Sequence, residues 1–361
     1  MIEQGCVCDD KEEIKEMRQE LVSNTTGLAQ SGGGRIFYLD ALKCFAILLV
    51  IEGHVRTLGM HIKTGDILSG LMFYTFDLPV FFFISGYLAY KSQLCFSEAW
   101  KNIRKKFVML LMPAVVVCSA YHLLNHEDLL YPLYHGFGKY WFTIALFECF
   151  LIYYALLIII KSEKFRLCFL IVFSLLGLAL LSKYSVFGPP ILDLNHLCKY
   201  FWFFAIGLIA KEYNNSYIRI INNETAKGIA ISAFFLILFS IDYQLYPKPI
   251  LYFLRDIVLR VLGTGIVVTL FYTYACKMEQ NRKVGKIIAE IGQKSLPIYL
   301  LQYFFVPDFS AFPDWVSGLD TFTIHVISVI YTIFITAACL CIIYLLELSS
   351  FLRKYVLGQK K

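Results

Sequence analysis

Lys43 and His54 stand eleven residues apart in RIFYLDALKCFAILLVIEGHV, residues 35–55, an apolar run of helix length. At 100° and 1.5 Å per residue that step is about three turns, so both side chains leave one helix face about 16 Å apart. A cation and an imidazole on one stripe of a membrane span could attract an anion at one end and exchange a proton at the other. Ionisable groups in hydrocarbon cost at least about 2.5 kcal/mol each, so they normally face a protein interior or a water-filled cavity and mark function. The plainer reading is that Lys43 reaches one membrane surface, pairing with Asp40 one turn below, while His54 reaches the other.

Other spans hold polar residues where a lipid-facing helix would carry Leu. FDLPVFFFISGYLAY, residues 76–90, places Asp77 and Pro79 early and Ser85 and Gly86 mid-span. Pro79 lacks a backbone donor and Gly86 a Cβ, so this helix could bend and admit a neighbour or ligand closely; small-residue helix packing would explain it equally. YWFTIALFECFLIYY, residues 140–154, has Trp141 at an interface, where an aromatic belt suffices, and Glu148 mid-span, where no such account serves. Asp256 and Arg260 stand one turn apart and read as a self-satisfying pair. Glu290 and Lys294 repeat that spacing beside Ser295, Pro297, Tyr299 and Gln302.

The elements that must position these residues follow from composition. Of 361 residues 58% are hydrophobic and 17% charged, far from the globular norm of about 25% charged, which indicates an all-α polytopic membrane protein. Ten apolar segments are expected as spans around a buried polar cavity: 36–58, 67–90, 107–124, 140–160, 165–182, 197–210, 227–245, 253–276, 286–306 and 324–346. Residues 1–34 read as a mobile cytoplasmic leader, 35–350 as one membrane domain and 351–361 as a basic tail. Most of the 33 Lys and Arg residues fall on alternate connections together with both ends, which places the termini in the cytoplasm of a cell (inner or plasma) membrane protein. The net charge of +6 is not gathered on a soluble face, so nucleic acid is not an expected partner. Most of the eleven cysteines lie in apolar runs, and Cys6 and Cys8 have no companion His or Cys pair at zinc-site spacing, so neither disulfides nor a metal are expected.

Taken together the segments resemble the membrane acyltransferase-3 family, across about residues 35–350. The resemblance rests on a basic residue, a ten-residue gap and a histidine in the first span, here Lys43 and His54. PVFFFISGYL at 79–88 is similar to the family's second-span motif, YWFTIALF at 140–147 to its tryptophan-phenylalanine motif, and IGQKSLPIYLLQ at 291–302 to its late Gly-x-x-Ser…Tyr segment. Gln302 stands where members commonly carry His. WKNIRKKFVMLLMP offers Arg104 and Lys106 for an Arg-x-Arg pair but has Met109 where an arginine is frequent.

The resemblance implies transfer of an acyl group, by default acetyl from acetyl-CoA, to a hydroxyl of a surface glycan or lipid-linked sugar. Lys43, Arg104, Lys105 and Lys106 would attract the coenzyme A phosphates. His54 would take the proton of the acceptor hydroxyl. Asp77, Ser85, Trp141, Glu148, Lys294, Ser295, Tyr299 and Gln302 are expected to line the substrate cavity. A secondary transporter or flippase, using the same ionisable residues as a proton or substrate path, is the competing reading.

Overall fold

The computed structural model describes residues 36–62, 75–126, 128, 136–183, 192–239 and 249–359. The expected leader 1–34, with Cys6 and Cys8, lies outside the described residues. Among those described the chain is helical, with no strand. The helices are α1 (Phe37–His54), α2 (Asp77–Ala89), α3 (Phe96–Leu124), α4 (Trp141–Ile159), α5 (Glu163–Lys183), α6 (Leu194–Glu212), α7 (Asn214–Ile221), α8 (Glu224–Phe239), α9 (Pro249–Gln280), α10 (Arg282–Gln293), α11 (Ser295–Leu301), α12 (Pro313–Ser317), α13 (Thr321–Glu347) and α14 (Ser350–Tyr355). Every apolar segment read from the sequence meets one of these helices. Phe96–Leu124, Gly138–Ile159, Phe253–Ala275 and Thr321–Glu347 are long and apolar enough to cross a membrane alone. The helix α2 has only 13 residues, and α1 carries Asp40, Lys43 and Glu52 within 18.

The expected span 286–306 is broken. Pro297 has no N–H, and in a continuous helix its ring would strike the carbonyl of Gln293, so α10 stops there and α11 restarts beyond Lys294. Pro79, by contrast, does not bend α2. It sits in the first turn, where a backbone donor would have had no partner within the helix. In α3 the backbone widens into a π-helical turn at Phe107–Leu111, just before Pro113, which leaves the Met109 carbonyl without its usual donor.

α1 is central. It packs against α2, α9, α10, α11 and α13, and Leu42, Ala46, Ile47 and Ile51 along it have no exposed surface. One of its contacts needs glycine on the partner. Gly292 of α10 lies where a Cβ would stand 1.9 Å from the Asp40 carbonyl oxygen. The same device joins α2 to α6 twice over: a Cβ on Gly86 would meet the Phe204 carbonyl oxygen at 2.0 Å, and one on Gly207 the Phe83 oxygen at 2.1 Å. Between these crossings the Phe82 and Tyr200 rings stack with centroids 5.0 Å apart.

Backbone cannot yield as a side-chain tip can, so Gly86→Ala and Gly207→Ala should each cost about 1–3 kcal/mol or more of stability. Gly228→Ala, with open space around it, should be neutral or mildly stabilising. Thermal unfolding of the detergent-purified variants checks both; equal melting temperatures for all three would contradict the close helix contact.

Candidate functional site

His54 ends α1, and the chain continues directly into a second π-helical turn, Val55–Gly59. This turn, the start of α2, the start of α4, the start of α6 and α11 with the turn after it enclose a cavity of about 320 Å³. His54, Asp77, Trp141 and Tyr299, all anticipated from sequence, line it together. Arg56, Lys139, His196 and Tyr303 line it as well and were not anticipated.

Each wall is fixed by a contact that consumes a polar group. Tyr299 and Tyr303, one turn apart, both donate to the Lys139 carbonyl, at 2.7 and 2.8 Å. The Lys139 ammonium donates to the Tyr121 hydroxyl at 2.9 Å. Tyr303 also packs its ring 5.1 Å from the His54 imidazole. Behind that imidazole lies Gln302, which has no exposed surface and donates to the Tyr299 carbonyl at 3.1 Å. His54 Nδ1 and Gln302 Oε1 are both buried without a partner at hydrogen-bond geometry among the described residues, and the two side chains are neighbours. With Nδ1 turned inward, Nε2 is the ring nitrogen left for the cavity.

The opposite wall is a relay of positioning contacts. Glu148 Oε1 accepts the backbone N–H of Asp193 at 3.0 Å. Asp193 caps α6 by accepting the His196 N–H at 3.3 Å, and both its carboxylate oxygens lie 2.8 Å from His196 Nδ1. A carboxylate at Nδ1 fixes the proton there and leaves Nε2 as acceptor. The imidazole lies flat on Trp141, with ring centroids 3.7 Å apart and planes 17° from parallel. Arg56 is held by Glu52 at 2.7 Å, and Glu52 by His325 at 3.2 Å. Asp77 accepts the Leu78 N–H at 2.6 Å at the head of α2.

The remaining sequence candidates lie elsewhere. Glu148 stands behind Asp193 and orders the wall without lining it. Ser85 sits mid-α2, away from the cavity, and Ser295 is buried at the head of α11. Lys294 bridges Glu290 at 3.2 Å and Glu347 at 3.4 Å and covers the Tyr344 ring, tying α10 to α13. Lys43 pairs with Asp40 at 3.1 Å, as the plainer reading expected, and Asp40 also accepts from Gln293 at 3.1 Å. Asp256 and Arg260 pair at 2.8 Å, as their spacing implied. Lys106 rests over the Phe150 ring at 3.7 Å, with Lys105 and Lys43 as its neighbouring charges. Arg104 and Lys105 line a different cavity, at the end of the bundle where α14 docks.

The missed residues had faint local signals. Asp193 and His196 stand at the spacing of a helix cap and its third residue, and Glu52 and Arg56 at i,i+4. Nothing local joins His325 to Glu52 or Tyr303 to Lys139.

Glu148→Ala and Asp193→Ala should free the His196 ring from Trp141, whereas Glu148→Gln, which keeps an acceptor oxygen, should not. In a chain whose other tryptophans, Trp100, Trp202 and Trp315, are Phe, loss of the stacked imidazole should raise Trp141 emission in the two Ala variants only. Unchanged emission in Asp193→Ala would break the relay.

The model of the family described as "Acyltransferase domain" matches residues 36–348, nearly the whole chain. No curated protein and no solved structure matches it.

Proposed function

This chain belongs to the Acyltransferase domain family, and from that premise we propose that it is an integral membrane O-acyltransferase, moving a short acyl group, acetyl by default, from acyl-CoA to a hydroxyl of a surface glycan or lipid-linked sugar. The observation that carries this reading is the placement of His54: its Nδ1 is buried, the buried Gln302 amide is its neighbour, and the residue lines a cavity large enough for a hydroxyl and a thioester.

The acceptor hydroxyl gives its proton to His54 Nε2 while its oxygen bonds to the thioester carbonyl carbon. Charge that grows on the carbonyl oxygen has a buried cation nearby in Arg56, which Glu52 holds in place. The C–S bond then breaks, and the proton passes from His54 to the leaving thiolate. Trp141 and Tyr299 supply flat apolar and hydroxyl-bearing surface of the sort that holds a sugar ring. The donor approaches from the opposite end of α1, where Lys43 lies about three turns from His54. That end is the cytoplasmic one if the Lys and Arg asymmetry sets the orientation. A transporter would use the same ionisable residues but gives the family match no role.

His54→Ala should lower the release of free coenzyme A from acetyl-CoA, in the presence of a sugar acceptor, by about 10²–10⁴-fold while the protein stays folded. Activity within a few-fold of the parent would overturn the assignment. Lys43→Ala should raise the KM for acetyl-CoA more than it lowers kcat. A fixed KM with collapsed expression would mean that its pair with Asp40 is structural only.

A further inference from the structure

We infer that the last helix of the chain is half of a binding site for a phosphorylated nucleotide, the polar end of the acyl-CoA donor. The inference rests on the donor proposed above and adds that α14, beyond the residues the family model matches, completes the phosphate site whose α3 half the resemblance implied. The C-terminal segment is docked, not loose. Gly358 adopts φ +65, where L side chains are strained, and a Cβ there would stand 2.3 Å from the Met109 carbonyl oxygen, to which Pro113, four residues on, cannot donate. Leu357 beside it is 1% exposed. Ser349 caps α14 by accepting the Leu352 N–H, and the Arg353 guanidinium donates to the Glu347 carbonyl at the end of α13.

This docking forms one side of an open cavity of about 650 Å³, twice the volume of the one at His54. Lys101, Arg104 and Lys105 line it from α3, and Arg353 and Lys354 from α14; among the described residues no carboxylate lines it. Five cations facing one concavity raise a local positive potential that favours an anion carrying more than one charge. Arginine and lysine from two elements suit phosphate oxygens in particular. Tyr355 lines the same cavity, its ring packed by Phe351 at 4.9 Å and by the Lys354 ammonium at 4.7 Å. From Lys105 the cations continue inward through Lys106 to Lys43, on the helix that ends at His54. A phosphorylated headgroup of an anionic lipid has the same chemistry, so the source must be decided by experiment.

The test uses the full chain in nanodiscs of phosphatidylcholine alone or with added phosphatidylglycerol, with coenzyme A, 3′-dephospho-coenzyme A and adenosine 3′,5′-bisphosphate as probes. Coenzyme A affinity should fall about 10- to 100-fold, a total loss of about 1.4–2.8 kcal/mol, in Lys101→Ala/Lys354→Ala and in Arg104→Ala/Lys105→Ala. The bisphosphate should compete, and removal of the 3′-phosphate should weaken binding. The first double variant changes only exposed lysines, so it tests the site without loosening the tail. His54→Ala should bind coenzyme A like the parent, which separates failure of this site from failure of the transfer chemistry. Unchanged coenzyme A affinity in both double variants overturns the inference. So does loss of bound phosphatidylglycerol in those variants with coenzyme A affinity intact, because the cavity then serves a lipid.

Discussion

An acidic or basic side chain within an apolar bundle has to be paired or has to face water, and α1 carries four such groups in one helix: Asp40, Lys43, Glu52 and His54. Their partners draw the rest of the molecule around it. Asp40 takes Lys43 from its own helix and Gln293 from α10. Glu52 takes Arg56 from the following turn and His325 from α13. Only His54 is left with a buried ring nitrogen and no partner at bonding geometry among the described residues, beside an amide whose oxygen is equally unmatched. In a helix where the other charges are matched, that mismatch is a place where a proton can be gained or lost without breaking an ion pair.

The cavity in front of His54 survives because its walls are rigid for independent reasons. α2 and α6 meet backbone to backbone through Gly86 and Gly207, so neither can move inward. The α11 wall is hung by two tyrosine hydroxyls from one carbonyl, that of Lys139. The α6 wall is set by Glu148 acting on Asp193 and Asp193 on His196. A preorganised pocket of this kind lowers the cost of orienting an acceptor before reaction.

What could be read in the sequence was what helical spacing encodes. The positions of the apolar segments, the common face of Lys43 and His54, the pairs Asp256–Arg260 and Glu290–Lys294, and the value of a missing Cβ at Gly86 all follow from periods and propensities. The break at Lys294 was also encoded, by Pro297, but hydropathy ran on across it because a proline between Leu296 and Ile298 does not make a segment polar. The side chains that complete the cavity were illegible for a different reason. His196 follows a polar connection, Tyr303 follows the last turn of α11, and the partners Glu52 and His325 are 273 residues apart. The resemblance and the run of charge marked Arg104 and Lys105, yet nothing between them and Arg353 announces that a left-handed glycine packed on the Met109 carbonyl brings the chain's end back to them.

The π turn after His54 bears on how such a site could change over generations. A π turn is an α-helix holding one surplus residue. In an unbroken α-helix His54 and Arg56 would point about 200° apart, whereas here both reach the same cavity. Loss of a single codon within Val55–Gly59 would relax the surplus into ordinary α-helix, leaving the flanking segments in register and changing which side chain of the turn faces the cavity. The imidazole would stay in place while a different neighbour came to face the acceptor. Chain length at this turn, and not only residue identity, is therefore a heritable determinant of what stands opposite the histidine.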